Sequence, residues 1–138
     1  MKLALGTAQF GYDYGITNTS GQISQKDGKK ILDLAKKSGI NTIDTAMNYG
    51  NCEQRLGQLG VKNWVVISKL PPAPANCENI SSWISSKIDF SLRCLKVNHL
   101  GGLLLHRPNQ LLKKEGKLIY ERKCCTMFLS LEQGRDKR

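Results

Sequence analysis

Four side chains that can move or steer protons, Asp44, Tyr49, Lys69 and His106, stand at or just past the ends of short apolar runs. Asp44 closes the run from Ile40, Lys69 follows Trp64–Ser68, His106 follows Leu103–Leu105, and Tyr49 lies five residues beyond Asp44. A tyrosine hydroxyl ordinarily ionises near ~10, too high to exchange protons readily at neutral pH, and an ammonium beside it favours the phenolate. In such a group Lys69 would tune Tyr49. Asp44 would pair with Lys69 and offset the cost of burying its charge, and His106 could hydrogen-bond a substrate carbonyl and orient it. Taken singly, each residue has a plainer role: Asp44 as a cap, Tyr49 as a half-buried packing residue, Lys69 as surface punctuation, His106 as a satisfied core histidine. Only their joint placement on one face would point to chemistry, so the elements that carry them decide the matter.

Those elements read as alternating strands and helices. Leu3-Ala4-Leu5 is a brief apolar run stopped by Gly6, and the segment from there to Ser24 reads as loop. Ser24 and Asp27 have capping-box spacing, and Ile31, Leu34, Ala35 and Ser38 then recur at helical intervals up to Gly39, giving a helix over about 25–38. The stretch from Ile40 to Ala46 is rich in β-branched residues and reads as a strand, followed by a short helix over about 52–59 that ends at Gly60. Trp64–Lys69 is the strongest strand signal, closed by Pro71-Pro72. Ile80, Ile84, Ile88, Leu92 and Leu95 then define a long amphipathic helix over about 78–97. Leu103–Leu105 gives a fourth strand before Arg107-Pro108, and a last helix begins near Gly116.

Strands joined by helix-length connections must run parallel, which leaves a (βα) barrel or an open doubly wound sheet. An open sheet built for a dinucleotide should carry GxGxxG after its first strand, and Gly6-Thr7-Ala8-Gln9-Phe10-Gly11 does not fit. The barrel is favoured, and parallel strands then bring Asp44, Lys69 and His106 to one rim, the face where barrel catalysts gather.

Bulk properties narrow the rest. A chain of 138 residues forms one domain and can bury a core, since 40% of it is hydrophobic. The net charge of +10 would suit an anionic partner, but residues 113–138 hold eight Lys or Arg against four acids and the remainder is scattered. That pattern reads as a solvated surface rather than a nucleic-acid interface. Five cysteines without CxxC or metal-type histidine spacing read as reduced thiols, and no metal site is expected. The N-terminal apolar stretch is too short for a signal sequence or a membrane span, so the expected location is the cytoplasm. His99, Ser91 and the cysteines find no partner for nucleophilic chemistry and read as loop, packing or surface residues.

The segments GTAQFG, IDTAMNYGNCEQRLG, VISKL and LLLHRP resemble those of aldo-keto reductases, with Asp44, Tyr49, Lys69 and His106 in the family's order. The resemblance covers about residues 3–122. It implies the first half of a TIM (β/α)8 barrel that transfers hydride from NADPH to an aldehyde, ketone or sugar carbonyl. Tyr49 would be the general acid, tuned by Lys69 and Asp44, with His106 positioning the carbonyl. Gly6, Thr7 and Ala8 would lie against the cofactor, and Asp44 near its nicotinamide ribose.

A whole barrel takes about 250 residues. Residues 1–122 are therefore expected to be a partial reductase domain and 123–138 a divergent basic tail, arising from a truncation or frameshift near Arg122–Lys123. Open strand edges would favour self-association and expose Trp64–Ile67 and Leu103–Leu105. The alternative function is a non-catalytic remnant or interaction fragment.

Overall fold

The computed structural model of the chain describes residues 3–112 and 116–119. Four strands, β1 (Ala4–Gly6), β2 (Thr42–Asp44), β3 (Val65–Leu70) and β4 (Gly102–Leu105), form one sheet in sequence order, every neighbouring pair parallel. Helices α2 (Gln25–Lys37), α3 (Cys52–Leu59) and α4 (Ile80–Leu95) lie between successive strands. This is the α/β strand-helix order expected of the first half of a TIM barrel.

The register fixes which side chains share a face. Asp44 pairs with Gly6 and with Ile67, and Lys69 pairs with Leu104. With a period of two, Ile43, Val66, Ser68 and Leu70 point to the helices and are buried. Asp44, Ile67, Lys69 and Leu104 point the other way. The core therefore lies between sheet and helices, where Phe10, Leu32, Ile43, Leu56, Val61, Val66 and Leu95 form one cluster. A second cluster of Leu70, Ile80, Ile84 and Ile119 seals the β4 side. Fully burying a leucine such as Leu56 contributes about 1.5–3 kcal/mol.

Local chemistry sets the helix limits. Ser24 Oγ accepts from the Asp27 backbone N–H at 3.1 Å, and Asp27 in the first turn with Lys36 and Lys37 in the last complement the helix dipole of α2. The helix ends where Gly39 takes a positive φ of 77°. Asn79 Oδ1 caps α4 by accepting from the Ser82 N–H at 3.0 Å. Helices α3 and α4 pack backbone against backbone at Gly57, where a Cβ would come within 2.0 Å of the Cys94 carbonyl oxygen.

Three expectations change. The segment after β1 is not all loop: Ala8–Gly11 is a short helix, α1, which buries Phe10 and Gly11. The buried stripe of α2 is Gly28, Leu32 and Ala35, while Leu34 is 66% exposed, because the sheet lies on the side that Leu32 faces. The open sheet face also exposes less than expected. Trp64 packs against the core, Val66 is buried, Leu103 and Leu105 are half-buried, and only Val65 and Leu104 of those two runs are exposed. Alternation explains this, since every second residue of each run faces the helices.

A 3-10 helix, Pro108–Leu112, follows β4, and α5 (Gly116–Ile119) begins at the expected place. The boundary at Arg122–Lys123 and the tail 123–138 lie outside the described residues. Among the described residues no helix is long and apolar enough to cross a membrane.

Candidate active site

Gly6, Asp44 and Lys69 lie at the carboxyl ends of β1, β2 and β3, and the chain beyond β2 stays tied to its neighbours. The Thr7 N–H and Oγ1 both donate to the Asp44 carbonyl oxygen, at 3.1 and 2.9 Å. The Thr45 N–H donates to the Ile67 carbonyl at 2.9 Å and the Met47 N–H to the Lys69 carbonyl at 3.3 Å. A turn then brings Tyr49 back over the sheet end, its N–H donating to the Ala46 carbonyl at 3.0 Å.

That turn is possible because two glycines leave room. A Cβ on Gly11 would lie 1.7 Å from the Tyr49 carbonyl oxygen. One on Gly50, whose φ is +55°, would lie 2.6 Å from the Gly11 carbonyl oxygen. Beneath the turn, Cys52 Sγ donates to the Thr7 carbonyl at 3.2 Å and lies 3.4 Å from Thr45 Oγ1. Burial pushes the Cys52 thiol pKa up, so this cysteine stays protonated and acts as packing.

Lys69 is the hub. Its ammonium donates to Asp44 Oδ1 and, at 3.0 Å, to the Thr45 carbonyl, and it lies 3.5 Å from Tyr49 Oη. It also sits 5.1 Å from the Tyr49 ring centroid. The lysine side chain is 18% exposed and that of Asp44 41%, so the pair sits at the rim rather than in the core. His106 meets the group through its ring, edge-on to Tyr49 with centroids 5.7 Å apart. Its backbone N–H is fixed by the Leu70 carbonyl at 3.0 Å, and its Nδ1 is buried with no hydrogen-bond partner among the described residues.

A cavity of about 510 Å³ opens over the strand ends, walled by Gly6, Thr7, Ala8, Asp44, Tyr49 and Lys69 among others. Of the eight assignments made from sequence over seven positions, only His106 falls outside this wall, reaching it through the Tyr49 ring. A Cβ on Gly6 would meet nothing within 4 Å, so the cavity floor there is open backbone that a flat group can approach.

Sequence reasoning missed two sets of supports. The first is Tyr12, whose ring stands edge-on to both Tyr49 and Tyr14 with centroids 6.1 Å apart in each case. Burial, followed by the neighbouring Tyr49, raises the Tyr12 pKa and keeps this ring neutral behind Tyr49. The second is Glu53 on α3. Its Oε1 accepts from Ser68 Oγ at 2.7 Å and from Ser91 Oγ at 2.8 Å, locking β3, one residue before Lys69, to α3 and α4. The capping-like position of Glu53 in the first turn of a helix gave no hint of a buried clamp.

Glu53 is buried without a cation partner among the described residues, and burial raises its pKa, partly opposed by the two serine hydrogen bonds. A carboxyl whose folded pKa is raised contributes most below its unfolded pKa, and that contribution is lost as pH rises through the folded pKa. Stability measured by urea midpoint should therefore decline as pH climbs from the ordinary carboxylate range. Glu53→Gln, which keeps the accepting carbonyl but cannot ionise, should remove that component, so the variant gains on the wild type as pH rises. A difference between the two that stays constant with pH would contradict the assignment.

The sequence matches the model of the aldo/keto reductase family over residues 2–137. Among solved structures, a Pseudomonas aeruginosa protein described as an aldo-keto reductase superposes with a TM-score of 0.68 at 27% identity, covering 95% of this chain and 51% of its own. A second Pseudomonas aeruginosa structure so described gives 0.66 at 25% identity, covering 95% and 49%. An aldo-keto reductase from Bacillus halodurans gives 0.64 at 20% identity, covering 96% and 42%, a likeness of fold. The chain thus spans about half the length of the structures it matches. No curated protein matches the sequence at a significant level.

Proposed function

Since the chain belongs to the aldo-keto reductase family, we propose that it carries the acid and its supports for NADPH-dependent reduction of an aldehyde, ketone or sugar carbonyl in the cytoplasm. The observation that carries this reading is Lys69, bound to the Asp44 carboxylate with its Nζ 3.5 Å from Tyr49 Oη, beside an open cavity. NADPH, when bound against Gly6, Thr7, Ala8 and Asp44, supplies the hydride that the carbonyl carbon takes up.

The chain's own residues handle the proton. Tyr49 donates its hydroxyl proton to the carbonyl oxygen as that oxygen gains charge, and the product is the alcohol. The Lys69 ammonium then faces the phenolate oxygen that remains, at a site set up before the reaction rather than reorganised during it. Asp44 and the Thr45 carbonyl hold Lys69 in that place by accepting from it. His106, against the Tyr49 ring, orients the carbonyl by hydrogen bonding.

Purified protein should quench on titration with NADPH, and should oxidise NADPH in the presence of an aldehyde once the barrel is closed. Failure to bind NADPH would reject the cofactor assignment. The alternative reading is a non-catalytic fragment. NADPH binding without turnover under any condition would favour it.

A further inference from the structure

A second cavity, of about 420 Å³, lies between α3 and α4 and shares no lining residue with the one over the strand ends. Gln54 and Gln58 of α3 form one wall, and Phe90, Arg93 and Cys94 of α4 with its C-cap Lys96 form the other. The opening has a cause in the sequence. Gln54 and Gln58, one turn apart, stand on the same helix face, and Gly57 beside them carries no side chain. The α4 backbone at Cys94 therefore comes up against Gly57, and the longer side chains are left standing around the contact.

The groups around this cavity are uncommitted. Phe90 is 58% exposed, and Arg93 and Lys96 make no ion pair among the described residues. Basic side chains at a helix end ordinarily complement its bare carbonyls. Here the backbone already serves two of those: the Lys96 N–H donates to the Arg93 carbonyl at 3.3 Å and the Val97 N–H to the Leu92 carbonyl at 3.2 Å. Lys96 adopts a left-handed φ of 56° to make that cap, a conformation uncommon outside glycine. Gln58 Oε1 accepts from Gln25 Nε2 at 2.9 Å, which leaves its own N–H groups to donate. The Gln54 amide has no hydrogen-bond partner among the described residues.

We infer that this cavity binds a mononucleotide-type ligand, its planar ring against Phe90, its phosphomonoester between Arg93 and Lys96, and the Gln54 and Gln58 amides at the ring edge. Phe90 precedes Lys96 by about 9 Å along a helix rising 1.5 Å per residue, a spacing that one small molecule spans. Two cations match the charge of about −1.5 to −2 on a phosphomonoester at neutral pH, where a carboxylate would offer one charge. Side-chain amides pair a donor with an acceptor, as the edge of a base requires. A cavity of this size encloses a small molecule, whereas a nucleic-acid strand needs a longer cationic track.

Binding at this cavity requires neither NADPH nor turnover, so its test stands apart from that of the reductase reading. Titration of the isotope-labelled 138-residue chain with adenosine monophosphate should shift the amide signals of 54–58 and 90–97 saturably. Arg93→Ala and Lys96→Ala should each raise the dissociation constant roughly tenfold, the effect of one lost charged hydrogen bond. Phe90→Leu, which keeps an apolar side chain but no ring, should also raise it roughly tenfold. These three side chains are exposed, and circular dichroism verifies that the variants fold. Lys36→Ala, the same charge loss on the exposed part of α2, should leave the affinity unchanged. Bound nucleotide should also slow alkylation of the half-buried Cys94 and leave that of Cys77 as it was. The inference is overturned by any of four results: no saturable shift in these segments, indifference to all three cavity substitutions, equal weakening by Lys36→Ala, or inorganic phosphate or adenosine binding as tightly as the nucleotide.

Discussion

Tyr49→Phe should lower the rate of carbonyl reduction by about 10²–10⁴-fold in any assembly that turns over, the usual contribution of a positioned general acid. The change removes one oxygen and little else. The phenyl ring keeps its edge-on contacts with Tyr12 and His106, and Lys69 keeps its bonds to Asp44 and to the Thr45 carbonyl. Affinity for NADPH should therefore stay within a small factor of wild type, with the loss confined to kcat and kcat/KM. Stopped-flow turnover together with NADPH titration separates the two. Equal rates in the two proteins would mean that the proton comes from elsewhere, and a parallel loss of cofactor binding would mean that the hydroxyl is a binding group.

The second large effect is expected at a residue with no chemistry at all. Gly11→Ala should destabilise the fold by about 3 kcal/mol, the upper part of the range for overpacking, because its Cβ would overlap the Tyr49 carbonyl oxygen at 1.7 Å. Backbone meets backbone there, and neither side can swing away as a flexible side chain would. Relief requires the Tyr49–Asn51 turn to lift from α1, which moves the Tyr49 hydroxyl relative to Lys69. Both urea midpoint and turnover should fall. Gly6→Ala supplies the contrast, since a Cβ there meets nothing within 4 Å and the midpoint should hardly move. If both glycine variants unfold at the wild-type midpoint, the close approach at Gly11 does not govern the turn.

Much of this was legible in the residues. The strand-helix order followed from apolar runs ended by polar residues and from periodic helices such as Ile80–Leu95. The Ser24–Asp27 cap and the stop at Gly60 are local hydrogen-bond and backbone effects, so a few neighbouring residues suffice to specify them. Parallel pairing then obliged Asp44 and Lys69 to share a rim, because a crossover connection returns each strand in the same direction.

The tertiary structure alone decided contacts between residues far apart in the chain. Glu53 is a buried clamp only because Ser68 and Ser91, 15 and 38 residues away, both donate to it. Gly11 matters because the Tyr49 turn lands on it, and Tyr12 supports the Tyr49 ring because its loop folds back against it. Likewise, composition marked Trp64–Ile67 and Leu103–Leu105 as apolar, but only the pleat and register determined that Val65 and Leu104 are the ones left bare. Residue type and spacing fix what a segment prefers locally. Which atoms meet across the fold depends on how the helices seat on the sheet, and one sequence read along its length does not contain that geometry in local form.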